Sequence, residues 1–218
     1  MLKLNINEIF ASINGEVNKW SQGSLTVFVC LQGCNLDPPC SYCDTNYAQS
    51  TGDYNPMTIK HLLTKIESFG IKRVTITGGE PLLQENVYEL IRNLLSRNYQ
   101  VSVETNGSIE INKDWFNWKN LSWVVDYKSE FETKMNFENY YELNYQDWIK
   151  FVIQDKSSFS NAVQVKNRLQ QNGCCTNFAF SPADADPVLS GNIVQWLIEN
   201  KIDDVILNLQ IHKIIQIK

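Results

Sequence analysis

Stretches that read as β-strand alternate with stretches that read as helix along most of this chain, and that alternation constrains its fold more than any other feature. Leu25–Leu31 is rich in β-branched and aromatic side chains. In Met57–Phe69, the residues Ile59, Leu62, Leu63, Ile66 and Phe69 recur at helical spacing until Gly70 stops them. Arg73–Thr77 is a short strand-like run, after which Val87, Leu90, Ile91, Leu94 and Leu95 line one helical face. Val101–Thr105, Ser122–Asp126, Ile149–Ile153, Asn177–Phe180 and Asp204–Gln210 read as later strands, with helices near 159–171 and 188–200. Strand alternating with helix implies an α/β fold on a parallel sheet, open or barrel-like. The segment 112–148 carries Trp115, Trp118, Trp123 and Trp148 with weak periodicity and is not assigned. No short repeat, low-complexity tract or linker divides the 218 residues, so residues 1–218 read as a single domain.

Composition narrows the function classes. With 43% hydrophobic and 20% charged residues the chain can bury a core, and a net charge of −5 offers no electrostatic footprint for nucleic acid or acidic lipid. No run of about 18 apolar residues occurs, and the opening MLKLNINEIF lacks the apolar stretch of a signal peptide. A cytoplasmic protein without a nucleic-acid or membrane partner is therefore expected. In that compartment cysteines serve metals sooner than disulfides, and Cys30, Cys34, Cys40 and Cys43 fall within fourteen residues. Cys174 and Cys175 stand apart and read as packing residues.

The loop after the first strand runs from Gly33 to Thr45 through Cys34, Pro38, Pro39, Cys40, Tyr42 and Cys43, with two thiols three positions apart. Three readings fit these thiols. A structural zinc would need a fourth ligand, Cys30 or His61. A cubane iron–sulfur cluster on three thiolates would leave one iron open for an exogenous ligand. Unligated packing is the third. Gly78-Gly79 lets backbone approach a ligand where a Cβ would interfere, and Glu80 offers an acceptor for an ammonium group; a plain strand-to-helix turn with Pro81 at its first position is the alternative. Thr75 and Thr77 share one strand face. Asp44-Thr45 places hard oxygens suited to Mg²⁺ beside the thiols, or simply a threonine capping its own loop. In the terminal strand Val205, Leu207, Leu209 and Ile211 would share one face and Asn208, Gln210 and His212 the other, lining a cavity or a solvated edge.

Gly33-Cys34-Asn35-Leu36, then Cys40-Ser41-Tyr42-Cys43-Asp44-Thr45, Gly78-Gly79-Glu80-Pro81 after one strand and Glu104-Thr105-Asn106-Gly107 after the next resemble the radical S-adenosylmethionine superfamily. Within it the chain is similar to the 7-carboxy-7-deazaguanine synthase family, through Asn14-Gly15-Glu16 near one end and Leu209-Gln210-Ile211-His212-Lys213 near the other. The resemblance implies a partial, incomplete parallel β/α barrel with its active site at the C-terminal strand ends. It implies a 4Fe-4S cluster on Cys34, Cys40 and Cys43, Mg²⁺ on Thr45, and S-adenosylmethionine against Tyr42, Asp44, Gly78, Gly79, Glu80, Glu104, the Asp126-Tyr127-Lys128 segment and Ser181. Substrate would meet Ile13, Asn14, Gly15, Glu16, Cys30, Thr77, Gln210 and His212, the amide and carboxylates accepting the N–H donors of an aminopyrimidinone edge.

The implied reaction is reductive cleavage of S-adenosylmethionine to a 5′-deoxyadenosyl radical that takes hydrogen from 6-carboxy-5,6,7,8-tetrahydropterin. The product is 7-carboxy-7-deazaguanine, with ring contraction and loss of ammonia. Implied partners are the small pterin, a reductant such as flavodoxin or ferredoxin, and a second copy in a homodimer. A small radical activating enzyme that places a glycyl radical on a partner protein is the alternative. Two departures stand out: five residues separate Cys34 from Cys40 where the family has three, and Cys30 replaces a family arginine that pairs with the substrate carboxylate. Lys128, Lys150 or Lys213 would then supply the missing cation.

Overall fold

The computed structural model describes residues 2–50 and 55–217. Its strands are β1 (Lys3–Ile13), β2 (Leu25–Leu31), β3 (Asn55–Thr58), β4 (Arg73–Gly78), β5 (Gln100–Thr105), β6 (Leu121–Tyr127), β7 (Trp148–Ile153), β8 (Asn177–Pro182) and β9 (Val205–Leu207). Its helices are α1 (Ile59–Glu67), α2 (Val87–Ser96), α3 (Phe137–Glu142), α4 (Lys156–Gln171), α5 (Pro187–Glu199) and α6 (Ile211–Ile214). The strands form one sheet in the order β3-β1-β2-β4-β5-β6-β7-β8-β9. From β2 to β9 every pairing is parallel, whereas β1 pairs antiparallel with both β2 and β3. Among the described residues β3 and β9 do not meet, so the sheet curls into an open, partial barrel.

Helix boundaries follow local chemistry. Thr58 caps α1 by accepting the His61 N–H, and Ile59, Leu62, Leu63 and Ile66 turn to the core. Asp155 and Ser158 cap α4 reciprocally, and Asp186 with Pro187 opens α5. Parallel strands buried on both faces read as continuous apolar runs, and Val27, Val29, Val74, Ile76, Val101 and Val103 are all essentially inaccessible. The tryptophan-rich segment forms the connection from β5 through β6 to β7, where the Trp123 indole donates to the Trp115 carbonyl at 3.2 Å. No described helix is long and apolar enough to cross a bilayer.

Two expectations need correction, and one strand was not anticipated. The helix expected from Met57 begins at Ile59, because Met57 pairs with Leu4 in β3. The N-terminal run, not assigned from sequence, is the eleven-residue strand β1. A bulge between Ile6 and Glu8 shifts its register, so the buried side chains move from Leu4 and Ile6 to Ile9 and the alternation is broken. The terminal strand stops at Leu207; the Asn208 N–H makes the last ladder bond, to the Phe180 carbonyl at 2.8 Å, and the residues after it leave the sheet before α6.

Asn208, at that stop, is fully buried. Its Oδ1 accepts the Val17 N–H at 2.9 Å and its Nδ2 donates to Ser181 Oγ at 3.1 Å. Gln22 donates to the Leu209 carbonyl, and the Ile211 N–H donates to the Gly15 carbonyl at 3.2 Å. The C-terminal segment is thereby stitched to the β1–β2 loop, which carries Asn14, Gly15 and Glu16. Replacing Asn208 by Ala strands the buried Val17 N–H. We expect a loss of about 1–3 kcal/mol, read as a lower urea midpoint with an unchanged m-value.

Candidate active site

A cavity of about 350 Å³ opens at the C-terminal ends of the parallel strands. Each strand delivers its cargo at or just past its end: Cys30 and the cysteine loop from β2, Thr77 to Gly79 from β4, Glu104 from β5, Asp126 and Lys128 from β6, and Ser181 from β8. The loop residues Ile13, Asn14, Gly15 and Glu16 enter from one side, and Gln210, His212 and Lys213 from the C-terminal segment. Gln210 and His212 thus reach the cavity through an irregular turn and the start of α6, not along a strand face.

Two residues expected in the site do not line it. Tyr127 points away because adjacent strand residues face opposite sides; its ring packs on Phe151 at 5.4 Å and Tyr140 at 6.0 Å while Asp126 faces the cavity. Glu80 is fully buried behind the wall and is no free acceptor for a ligand ammonium. One oxygen accepts the Leu82 N–H at 3.0 Å and the Thr105 hydroxyl at 2.8 Å, and the other the Asn106 N–H at 2.7 Å. It clamps the turn after β4 to the end of β5. Tyr47 and Asp184 also line the cavity without having been singled out. Asp184 follows Ser181-Pro182 with φ at +54°, a geometry the sequence marks only by its turn residues.

The cysteine loop is fixed by backbone. Gly33 N–H donates to the Ala48 carbonyl at 2.7 Å, and Glu80 N–H to the Gly33 carbonyl at 2.8 Å. A Cβ on Gly79 would lie 2.0 Å from that same Gly33 oxygen, so only glycine lets β4 press against the loop. Cys34, Cys40 and Cys43 all face the cavity. Among the described residues, no three His, Cys, Asp or Glu side chains converge on a point that would hold a single ion. A donor set of three thiols around a shared cavity suits a multi-iron cluster, whose ligands attach to separate irons, better than a closed tetrahedral zinc site. Asn106 Nδ2 reaches Cys34 Sγ at 3.9 Å, and Thr45 Oγ1 lies 3.6 Å from Cys43 Sγ while donating to the Gly78 carbonyl at 3.1 Å.

Charge is balanced inside the wall. Lys150 is ion-paired to Glu16 and, at 3.3 Å, to Asp126, whose other oxygen receives Lys128 at 2.6 Å. Burial opposes charge on Asp126, yet the two lysines hold its carboxyl below the ordinary carboxylate range. Burial likewise opposes charge on Lys150, yet Asp126, Glu16 and Glu104 raise its ammonium well above the ordinary value. Burial, and next the Glu16 charge, push the Glu104 carboxyl up from its ordinary value, against the pull of Lys150. The ammonium groups of Lys128 and Lys150 thus share the wall with the carboxyls of Glu16, Glu104 and Asp126. Burial also lowers the His212 imidazole, against the pull of Glu16.

Comparison with known proteins agrees with this geometry. A family model described as the radical SAM superfamily matches residues 28–116. The protein of Clostridium acetobutylicum named 7-carboxy-7-deazaguanine synthase is 40% identical over 221 residues, covering 98% of this chain and 96% of that one. The protein of the same name from Leptospira interrogans is 31% identical over 98% of this chain and 96% of its own. Among solved structures, Streptococcus suis SuiB bound to S-adenosylmethionine superposes with a TM-score of 0.55 at 14% identity, over 81% of this chain and 44% of that one, a likeness of fold alone.

The Glu80 clamp has a signature in pH. Burial outweighs its three hydrogen bonds and pushes the carboxyl from 4.5 up to about 7. A pKa raised by folding gives stability that is complete below the unfolded value and lost as pH climbs to the folded one. Between pH 4.5 and about 7 the unfolding free energy of the wild type should fall relative to that of Glu80→Gln. The drop is roughly 3 kcal/mol at 1.36 kcal/mol per pKa unit. Urea titrations of both proteins at the two pH values check this, and a constant difference would refute the raised pKa.

Proposed function

This chain belongs to the 7-carboxy-7-deazaguanine synthase family of radical S-adenosylmethionine enzymes, and on that premise we propose that it converts 6-carboxy-5,6,7,8-tetrahydropterin to 7-carboxy-7-deazaguanine with loss of ammonia. The enzyme is a lyase that works with a 4Fe-4S cluster and S-adenosylmethionine. The observation that carries the reading is that the thiols of Cys34, Cys40 and Cys43, the Gly78-Gly79 backbone, and Glu16 with Glu104 open on one cavity.

When bound, the cluster supplies the electron for reductive cleavage of S-adenosylmethionine, and the radical chemistry belongs to those cofactors. The chain binds, orients and shields. Cys34, Cys40 and Cys43 hold the cluster. The Gly78-Gly79 backbone, Tyr42, Asp44, Asp126, Lys128 and Ser181 receive the nucleotide, with Glu80 acting one step back to fix the turn. Thr45, with Asp44 beside it, offers hard oxygens for Mg²⁺. Glu16 accepts N–H donors of the aminopyrimidinone, its charge offset by Lys150. Glu104, on the same cavity, is the acceptor offered to the nucleotide's ribose hydroxyls. Phe10 and Phe28, stacked at 5.1 Å, make one flank of the cavity apolar. Cytoplasmic location, a flavodoxin or ferredoxin reductant and a homodimer complete the proposal. The activating-enzyme alternative gives no work to Glu16, Gln210 and His212, which face the cavity interior.

Anaerobically reconstituted, reduced enzyme incubated with S-adenosylmethionine, Mg²⁺ and the carboxytetrahydropterin should yield 7-carboxy-7-deazaguanine. Unchanged pterin beside accumulating 5′-deoxyadenosine would point to another substrate. Cys40→Ala should abolish iron and sulfide loading, whereas Cys174→Ala, which removes a thiol donating to the Tyr140 carbonyl at 3.1 Å, should retain it. Metal analysis and visible absorption read both, and the opposite pattern would reassign the ligands.

A further inference from the structure

Asn106 follows directly on β5, is buried, and turns its side chain toward the cysteine loop. Its backbone N–H is pinned by Glu80 at 2.7 Å, which fixes its place beside the turn after β4. The side-chain amide is fixed as well. Its Oδ1 accepts the Ser108 backbone N–H at 2.9 Å and the Ser108 hydroxyl at 2.6 Å, and its Nδ2 donates to Asn35 Oδ1 at 3.0 Å. Asn35 Nδ2 donates in turn to Ser108 Oγ at 2.9 Å, closing a ring of three side chains between the loop and the end of β5. A backbone N–H can only donate, so the oxygen of the Asn106 amide must face Ser108 and its nitrogen must face the loop. One Nδ2 hydrogen serves Asn35. The other is left for Cys34 Sγ, 3.9 Å away.

The contact at Cys43 is of another kind. Thr45 has one hydroxyl proton, which goes to the Gly78 carbonyl at 3.1 Å, so the oxygen 3.6 Å from Cys43 Sγ has no donor left for that sulfur. An amide N–H against a ligating thiolate stabilises the reduced, more negative state of a cluster over the oxidised one, and hydrogen bonds to the sulfurs are among the factors that set a cluster's potential. Resting on the assignment of Cys34 to the cluster, we infer that Asn106 is a positioning residue whose amide, locked by Asn35 and Ser108, donates to the Cys34 thiolate and raises the reduction potential of the cluster. Asn35 is the residue after Cys34, so the ring ties donor and ligand to one short segment and keeps them together. Asn106 thereby makes the electron easier to accept from the reductant.

The test is a redox titration of anaerobically reconstituted holoenzyme, without S-adenosylmethionine, read by the electron paramagnetic resonance of the reduced cluster. Asn106→Leu is close in size, uncharged and without a donor, and leaves no space for a water to replace the amide. It should load iron and sulfide as wild type does. Its equilibrium constant for one-electron reduction should fall about tenfold, a downward shift of about 59 mV. Ser108→Ala, which keeps the backbone N–H on Oδ1, should stay within about twofold of wild type, or about 18 mV by the same conversion. An unchanged potential in Asn106→Leu overturns the inference and leaves the pterin reading standing. Independently of any variant, wild type carrying asparagine isotope-labelled at its side-chain nitrogen should show that nitrogen coupled to the reduced cluster in electron spin-echo spectroscopy. Absence of the coupling likewise overturns the inference alone. Wild type that loads no cluster overturns both.

Discussion

Lys150 held between Glu16 and Asp126 is the interaction on which the site depends. Remove its charge and Glu16 loses its ion-pair partner while Asp126 keeps only Lys128, in a buried wall where an unpaired charge costs about 3–5 kcal/mol. The pairing also joins parts of the chain far apart in sequence. Glu16 comes from the β1–β2 loop and accepts from Gln210 of the C-terminal segment at 2.8 Å. Asp126 belongs to β6, Lys150 to β7, and Lys128 carries the network on to the Tyr42 ring in the cysteine loop. The open barrel is thus drawn together by charges in the wall of its cavity. Glu104 lies among these groups, and burial, with the Glu16 charge next, pushes its carboxyl up.

The parallel core was legible because its strands are buried on both faces. Leu25–Leu31 has the limits its composition implies, and α2 buries Val87, Leu90, Ile91 and Leu94 of the face its apolar spacing marks. The edges were not. In β1 the bulge after Ile6 breaks the period of two, and in β9 an apparent alternation continues through residues whose backbone has left the sheet. Alternation registers side-chain polarity only, and Asn208 is polar because it fills a buried hydrogen-bonding post, not because it faces a ligand. Most of the site was legible as well, since short loops after successive parallel strands must converge at one end of the barrel. Glu80 and Tyr127 show the limit: each sits inside a motif that reaches the cavity, yet its side chain turns inward to hold that motif in place. Neighbours in sequence share a location without sharing a direction.

The same distinction accounts for the long spacing between Cys34 and Cys40. At its base the loop is locked, with Cys34 N–H donating to the Gln49 carbonyl at 3.3 Å and Gly33 gripped from both sides by Ala48 and Glu80. Leu36, 5% exposed, is the next anchor, after which Asp37, Pro38 and Pro39 bulge into solvent. The loop returns where Lys134 donates to the Asp37 carbonyl at 2.8 Å and Glu130 accepts from both the backbone and hydroxyl of Ser41. Both partners lie in the turn Ser129–Lys134 that follows β6. The additional residues therefore extend outward over that turn, and the length of chain between the two thiols need not set the distance between them. What sets it is the pair of anchors at either end, one on the segments around Ala48 and Glu80 and the other on the turn after β6, and this is why a lengthened loop still presents Cys34, Cys40 and Cys43 to one cavity.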